Sequence, residues 1–361
     1  MDIDNNYDSH NRRPLALVLC GGGARGAYQA GFLHKLFTTP EYIECWDIEK
    51  INGTSIGAIN GYYCATGNAD RLRDTWNNHT LSNFMTQWCT VPFFGKYISY
   101  VGCYYNLSFY KPNYDLLFGN LKKKDDNILN KFSCTVTCYN NGNDIFINGD
   151  NAKLDEYMKA TMAAFGLPPI LIDNKTYFDG GLFQNIPINF DVKQYKNNKG
   201  VVLILDTVEK IKEFNDDEKD ELVNPDSLLT YIKNIITIQN NRVLSYEFYQ
   251  NQMCDQTEPI FSKESWMDKL NKDSDRKYII RKFYKPENPD DQIVNTFEDD
   301  IEKIRRSFKA GEDECDKWME EMNIELGLNL HTINPQSNVY LMVSKTEEPT
   351  VKHVDIDKLI A

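Results

Sequence analysis

The stretch LALVLCGGGARGAY, residues 15–28, joins an apolar run to three consecutive glycines. This pattern predicts a buried strand, a turn that brings bare backbone close to another group, and a helix over residues 26–37. The glycine loop, Gly21 to Gly26, leaves amide groups free at the positive end of that helix. Two uses of these amides fit the spacing: binding a pyrophosphate, as in dinucleotide folds, or holding the oxyanion of an acyl-transfer intermediate.

Strand-like and helical segments alternate from this stretch onward, which predicts an α/β fold with a mostly parallel sheet. The clearest strands are residues 15–20, 132–139 and 201–207, and the clearest helices are 26–37, 56–66 and 152–164. We divide the chain into a flexible tail (1–13), an α/β domain (14–207) and a mainly helical region that packs on the core (208–361). In this last region a long helix carries apolar residues from Phe297 to Met322, and its pattern favours packing on the core over a coiled coil.

Composition and charge exclude several classes of protein. The formal net charge is −13, which argues against a nucleic-acid partner. The polar start MDIDNNYDSHNRRP lacks the apolar segment of a signal peptide, and no apolar run is long enough to span a bilayer. The nine cysteines are scattered and form no disulfide framework. We therefore predict a cytoplasmic protein without a transmembrane segment, peripheral on membranes at most.

A second motif decides between the two uses of the glycine loop. Residues 51–61 read INGTSIGAING and contain Gly53-Thr54-Ser55-Ile56-Gly57, the G-x-S-x-G pattern of a nucleophile elbow. The motif follows the glycine loop by just over one β-α unit, so both turns open at the same edge of the sheet. A dinucleotide site would instead need an acidic residue that ends the second strand; Asp47 has about the right distance but ends no strand. We interpret the loop as an oxyanion hole and Ser55 as a nucleophile.

A nucleophilic serine needs a base, and a third motif supplies the candidate. In a Ser-Asp-His order the histidine would be His331 or His353, and neither lies in a glycine-rich strand-end context. Residues 177–187 read YFDGGLFQNIP, where a strand end is followed by Asp179-Gly180-Gly181. Asp179 becomes a general base if partial burial raises its pKa.

The three motifs, in this order, resemble those of the patatin-like phospholipases, which carry G-G-G-x-[RK]-G, G-x-S-x-G and D-G-[GA]. The resemblance covers residues 15 to about 206 and implies a three-layer α/β/α fold. It also implies lipid acyl hydrolysis by a Ser–Asp dyad, without a catalytic histidine, a metal or another cofactor. Ser55 is then the nucleophile, Asp179 the base and Arg25 a residue that fixes the loop. The other motif residues are those of the oxyanion loop (Gly21, Gly22, Gly23, Ala24, Gly26), the elbow (Gly53, Thr54, Ile56, Gly57) and the aspartate turn (Gly180, Gly181).

An aromatic segment over residues 84–118 suggests where a lipid enters. Trp88, Phe93, Phe94 and Tyr97 are candidates for lipid contact, and the alternative is that the segment packs over the sheet. We expect a phospholipid or another acyl lipid at a membrane surface as the substrate, with a protein activator as a further candidate partner. A soluble ester or thioester, or acyl transfer on the same fold, is the alternative function. A nucleotide-binding module is the alternative from another class of protein.

Overall fold

The protein is described here from a computed structural model. The structure describes residues 12–87, 110–119, 121, 126–139, 141–164, 167–182, 184–190, 200–207, 280–283, 286, 288–293 and 298–328. The strands are β1 (Arg13–Leu19), β2 (Trp46–Thr54), β3 (Met85–Gln87), β4 (Tyr110–Pro112), β5 (Phe132–Cys138), β6 (Asp144–Asn148), β7 (Ile170–Ile172), β8 (Lys175–Asp179), β9 (Val201–Leu205) and β10 (Ile280–Phe283). The helices are α1 (Gly26–Thr38), α2 (Pro40–Ile43), α3 (Ile56–Ala65), α4 (Arg71–Asn78), α5 (Leu81–Phe84), α6 (Asp126–Leu129), α7 (Leu154–Ala160) and α8 (Ile301–Leu326). Short helical turns lie at Gly23–Arg25, Asp115–Gly119, Gly180–Leu182 and Pro289–Asp291.

Eight of the described strands form one mixed sheet with helices on both sides. Strands β10, β9, β1, β2 and β5 are parallel neighbours in that order, whereas β6, β7 and β8 pair antiparallel. Strands β5 and β9 are buried along their whole length, because helices cover both faces of the sheet. The predicted α/β fold with a mostly parallel central sheet is confirmed. Strands β3 and β4 form a separate antiparallel pair.

Strand β8 pairs with the same edge of β5 as β2 does, and its pairing begins where that of β2 ends. Thr54, the last residue of β2, pairs with Thr135 of β5, and Asp179 pairs with the next residue, Val136. Strand β6 occupies the opposite edge of β5 through both positions. Strands β2 and β8 therefore share one edge, and their carboxyl ends meet there.

The predicted strands and helices agree with the observed ones to within one or two residues, except for the helix predicted over 152–164. This helix, α7, ends at Ala160. The backbone beyond it bonds to the sheet, because the Ala163 carbonyl accepts a hydrogen bond from the Asp179 amide at 3.2 Å. Residues 338–344, NVYLMVS, are apolar enough to predict a further strand, but they and most of the tail lie outside the described residues.

Helix α8 packs along α1, as the apolar pattern of the long C-terminal helix predicted. Asp300 caps its start by accepting hydrogen bonds from the amides of Glu302 and Lys303. The two helices cross at glycines: a methyl group at Gly311 would lie 2.0 Å from the Tyr28 carbonyl oxygen, and one at Gly31 would lie 1.8 Å from that of Phe308. The backbones of α1 and α8 are therefore in direct contact.

We expect Gly311→Ala to destabilise the protein by about 1–3 kcal/mol, because the added methyl forces the two helices apart. In an exposed helix the same substitution would be stabilising, because alanine is more favourable there than glycine by roughly 1 kcal/mol. Urea unfolding followed by circular dichroism measures the change. Glu321→Ala, at an exposed position of the same helix, is the matched control and should leave the midpoint nearly unchanged. A Gly311→Ala protein as stable as this control would show that the crossing can relax.

Candidate active site

The glycine loop follows β1 and enters α1 through the single helical turn Gly23–Arg25. Gly23 has a φ of 60°, in the left-handed region that favours glycine. The Gly21 amide donates to Asn185 Oδ1 at 2.9 Å and is therefore occupied. Within the described residues no hydrogen bond engages the amides of Gly22 and Gly23. These two amides are the free donors of the loop.

Ser55 lies at a sharp turn between β2 and α3, as the elbow motif predicted. Its φ of 55° and ψ of −126° are strained for a residue with a side chain. Glycines make the turn possible, because a methyl group at Gly57 would lie 2.2 Å from the Leu19 carbonyl oxygen. The Ser55 amide donates to Thr161 Oγ1 at 2.9 Å, and this hydroxyl donates to the Thr135 carbonyl at 2.7 Å. Thr161 thereby ties the elbow to β5.

Asp179 is buried at the end of β8 and meets Ser55. Its carboxylate accepts a hydrogen bond from the Ser55 hydroxyl and a second from the Gly181 amide at 2.7 Å. Burial raises the pKa of Asp179 to about 6, and the two hydrogen bonds, which favour the charged form, limit the rise. Asp179 is therefore mostly ionised at neutral pH and can accept a proton from Ser55.

Asn185 and Thr207 hold the glycine loop through hydrogen bonds to Gly21. Asn185 accepts from the Gly21 amide and donates through Nδ2 to the Gly21 carbonyl at 3.3 Å. The Thr207 hydroxyl donates to the same carbonyl. Arg25 Nη1 donates to the Thr207 carbonyl at 3.2 Å, and its role in fixing the loop stays a prediction. In the sequence Asn185 stands only as part of the third motif, and Thr207 belongs to no motif.

A buried polar pair lies under the loop and joins α1 to α3. Gln29 donates to the carbonyls of Cys20 and Leu205 at 3.3 Å and 2.9 Å, where β1 and β9 end. Asn60 donates to Gln29 Oε1 at 2.9 Å and to the Gly26 carbonyl at 3.0 Å. Both side chains are fully buried. Sequence analysis missed both, because a polar residue inside a helix does not reveal its partners.

The two described histidines lie in other settings. His34 Nδ1 is 2.9 Å from Glu312 Oε1, and this carboxylate also pairs with Arg73. Burial acts to raise the pKa of Glu312, but the contacts with His34 and Arg73 outweigh it, so the pKa is lowered. His79 Nδ1 is 3.2 Å from the Thr75 carbonyl. The side chain that is hydrogen-bonded to the Ser55 hydroxyl is thus a carboxylate. No group of three or more His, Cys, Asp or Glu side chains in the described part of the chain could hold a metal ion.

The structure brings the three predicted motifs together at the carboxyl edge of the sheet. Gly21 lies against Ser55, since a methyl group at position 21 would lie 2.9 Å from Ser55 Cβ. Gly181 lies beside Asp179 and binds its carboxylate. The candidate lipid contacts Trp88, Phe93, Phe94 and Tyr97 lie outside the described residues, so their role stays a prediction.

Helices cover both faces of the sheet, and a serine lies at a sharp strand-to-helix turn. This combination is typical of α/β folds that carry a nucleophile elbow. Residues 17–191 match the family model of the patatin-like phospholipases. This part of the chain is therefore similar to the patatin-like phospholipases.

The chain was also compared with solved structures and with curated protein sequences. The crystal structure of VipD from Legionella pneumophila is similar over 86% of this chain and 67% of the VipD chain, with 12% sequence identity and a TM-score of 0.40. No curated protein sequence matches the chain. Among the helices of the described residues, none combines the length and the apolar character that crossing a membrane requires.

Proposed function

We propose that the chain is a lipid acyl hydrolase of the phospholipase A or lysophospholipase type, which cleaves carboxylic ester bonds through an acyl-enzyme on Ser55. One observation carries the proposal: a buried carboxylate accepts a hydrogen bond from a serine hydroxyl at a strained elbow, beside a loop with two free amides. Asp179 is the general base, and the amides of Gly22 and Gly23 form the oxyanion hole.

In the first half of the proposed reaction, Ser55 Oγ attacks the ester carbonyl carbon and its proton passes to Asp179. The carbonyl electron pair moves onto oxygen, and the amides of Gly22 and Gly23 hold this oxyanion. When the intermediate collapses, the bond to the leaving alkoxide breaks and Asp179 returns the proton to it. A lyso-lipid or an alcohol departs, and the acyl group stays on Ser55.

In the second half, Asp179 takes a proton from water as the water oxygen attacks the acyl-enzyme. A second oxyanion forms in the same hole and collapses, with the proton returning to Ser55. A free fatty acid leaves. Each step uses one base and one set of amides, so the dyad needs neither a histidine nor a metal in this scheme.

The test is the release of fatty acid from mixed phosphatidylcholine and phosphatidylglycerol vesicles, with EDTA present and with Ser55→Ala as the background. A short-chain p-nitrophenyl ester, kept below its solubility limit, is assayed in parallel. We expect Ser55-dependent release from the vesicles. Hydrolysis of the soluble ester with intact vesicles would overturn the lipid assignment and favour the soluble-ester alternative. If both substrates stay intact, turnover that appears only on adding cell extract and depends on Ser55 would identify an activator.

A further inference from the structure

The Gly21–Gly22 peptide presents two groups with opposite roles. Its carbonyl belongs to Gly21 and its N–H to Gly22, and the two point in opposite directions because the peptide is planar and trans. The carbonyl points to Asn185 Nδ2 and to the Thr207 hydroxyl. Whatever sets the direction of the carbonyl therefore sets the direction of the Gly22 amide. This amide is one of the two that the proposed function assigns to the oxyanion hole.

A peptide between two glycines does not keep such an orientation by itself, because glycine has wide conformational freedom on both sides. The loop must therefore be held by its surroundings. Asn185 binds both the N–H and the C=O of Gly21, at 2.9 Å and 3.3 Å. Its side chain is buried, so water does not compete for these bonds.

Thr207 adds a second and independent contact. Its hydroxyl bonds to the Gly21 carbonyl, and its side chain lies directly against Gly22, where an added methyl group would be 2.1 Å from Thr207 Oγ1. It approaches from the end of β9, whereas Asn185 approaches from the segment after Asp179. The carbonyl is thus held by two side chains from separate parts of the chain.

We propose that Asn185 and Thr207 are positioning residues, which hold the Gly21–Gly22 peptide so that the Gly22 amide faces the oxyanion. The inference rests on the proposed function, since an oxyanion forms only if Ser55 attacks an ester. Without the two contacts the peptide can rotate and turn its carbonyl toward the developing negative charge. The loss then falls on the transition state and not on substrate binding.

The experiment measures kcat and KM on the soluble p-nitrophenyl ester for Asn185→Ala, Thr207→Val and Thr207→Ser. Removing an oxyanion-hole donor costs about 10²–10³-fold in kcat, and a misplacement of about 1 Å can cost about 10²-fold. We expect kcat to fall by about 10²-fold for Asn185→Ala, which removes two hydrogen bonds to Gly21, and by a smaller factor of about 10 for Thr207→Val, which removes one. KM should change little. Thr207→Ser keeps the hydroxyl and should stay close to the unmodified protein.

Two buried residues away from the site serve as matched controls. Thr66 donates its hydroxyl to the Tyr62 carbonyl at 2.7 Å, and Asn68 Nδ2 donates to the Thr66 carbonyl at 2.9 Å. Thr66→Val and Asn68→Ala thus remove similar buried bonds. We expect them to lower the melting temperature as the site variants do, while kcat is kept.

A second readout separates positioning from general loosening. When Ser55 Oγ adds to the carbonyl carbon of an alkyl trifluoromethyl ketone, the product carries a stable oxyanion that lies in the proposed oxyanion hole. Its inhibition constant should rise in parallel with the loss of kcat/KM across the variants. Full kcat in both Asn185→Ala and Thr207→Val, with melting temperatures lowered as in the controls, would overturn the positioning role alone. If the unmodified protein hydrolyses no ester, either alone or with cell extract added, the proposed function and this inference fall together.

Discussion

Ser55→Ala is expected to reduce ester hydrolysis to background, a loss on the order of 10⁵–10⁶-fold. No other described hydroxyl is hydrogen-bonded to the Asp179 carboxylate, so no substitute nucleophile is in place. The fold should survive, because alanine meets the same φ of 55° that serine already adopts. Fatty acid release and labelling by a fluorophosphonate probe, which phosphonylates activated serines with loss of fluoride, measure the loss.

Ser307→Ala is the matched control for this variant. Ser307 is a buried serine on α8, outside the glycine loop, the elbow and the aspartate turn. It should keep both turnover and labelling. A Ser55→Ala protein that still released fatty acid above the level of the buffer would show that another residue carries the reaction.

Asp179→Asn is expected to lower kcat by about 10²–10⁴-fold, which is the usual contribution of a general base. Asparagine keeps an oxygen that can accept from the Gly181 amide, so the turn after β8 should be preserved. It cannot accept a proton from Ser55. The loss should appear on both vesicles and the soluble ester, since the base acts on the nucleophile and not on the lipid.

The same residue sets the expected pH dependence. Because the pKa of Asp179 is raised to about 6, activity should fall as the pH drops through 6 and the base becomes protonated. Asp179→Asn should show no such fall. A profile of kcat/KM that stays flat down to pH 4.5 would contradict Asp179 as the base.

The stability of the folded protein should change with pH in the direction opposite to activity, so that it rises as the pH falls. The pKa of Asp179 is higher in the folded protein, about 6 against an ordinary 3.8, so the folded state binds this proton more tightly. The ionised residue therefore costs stability above pH 6, by up to about 3 kcal/mol, and the cost disappears below pH 3.8. Asp179→Asn should raise the melting temperature at pH 8 and leave it unchanged at pH 3.5. A variant that is less stable at pH 8 would show that the charge is better solvated than its burial indicates.

Much of the fold and of the site could be predicted from sequence, because both depend on short local patterns. The apolar runs that became β1, β5 and β9 are long enough to be buried on both faces. Each motif also needs glycine for a local reason: Gly23 adopts a positive φ, and Gly57 touches the Leu19 carbonyl. Such constraints are visible in a few consecutive residues.

The residues that hold the site could not be predicted, because their partners lie far away in sequence. Asn185 and Thr207 contact Gly21 across 164 and 186 residues. Neither residue type is unusual for a loop. Thr161 was placed inside a helix by periodicity, whereas its hydroxyl in fact links Ser55 to β5. Periodicity describes which face of a segment is apolar, and it carries no information on where a single hydroxyl finds its acceptor.

The shared edge of β5 makes strand length a part of the candidate active site. Asp179 stands one ladder position beyond Thr54, and β8 reaches that position from the two-residue turn Asp173–Asn174. Deleting one residue within β8 would turn the carboxylate to the opposite face of the sheet, although every motif would remain intact in the sequence. A longer turn between β7 and β8 would leave the carboxylate in place. The site therefore does not depend on the length of the turn at the tip of this hairpin, but the count of residues from the tip to the aspartate has to be kept.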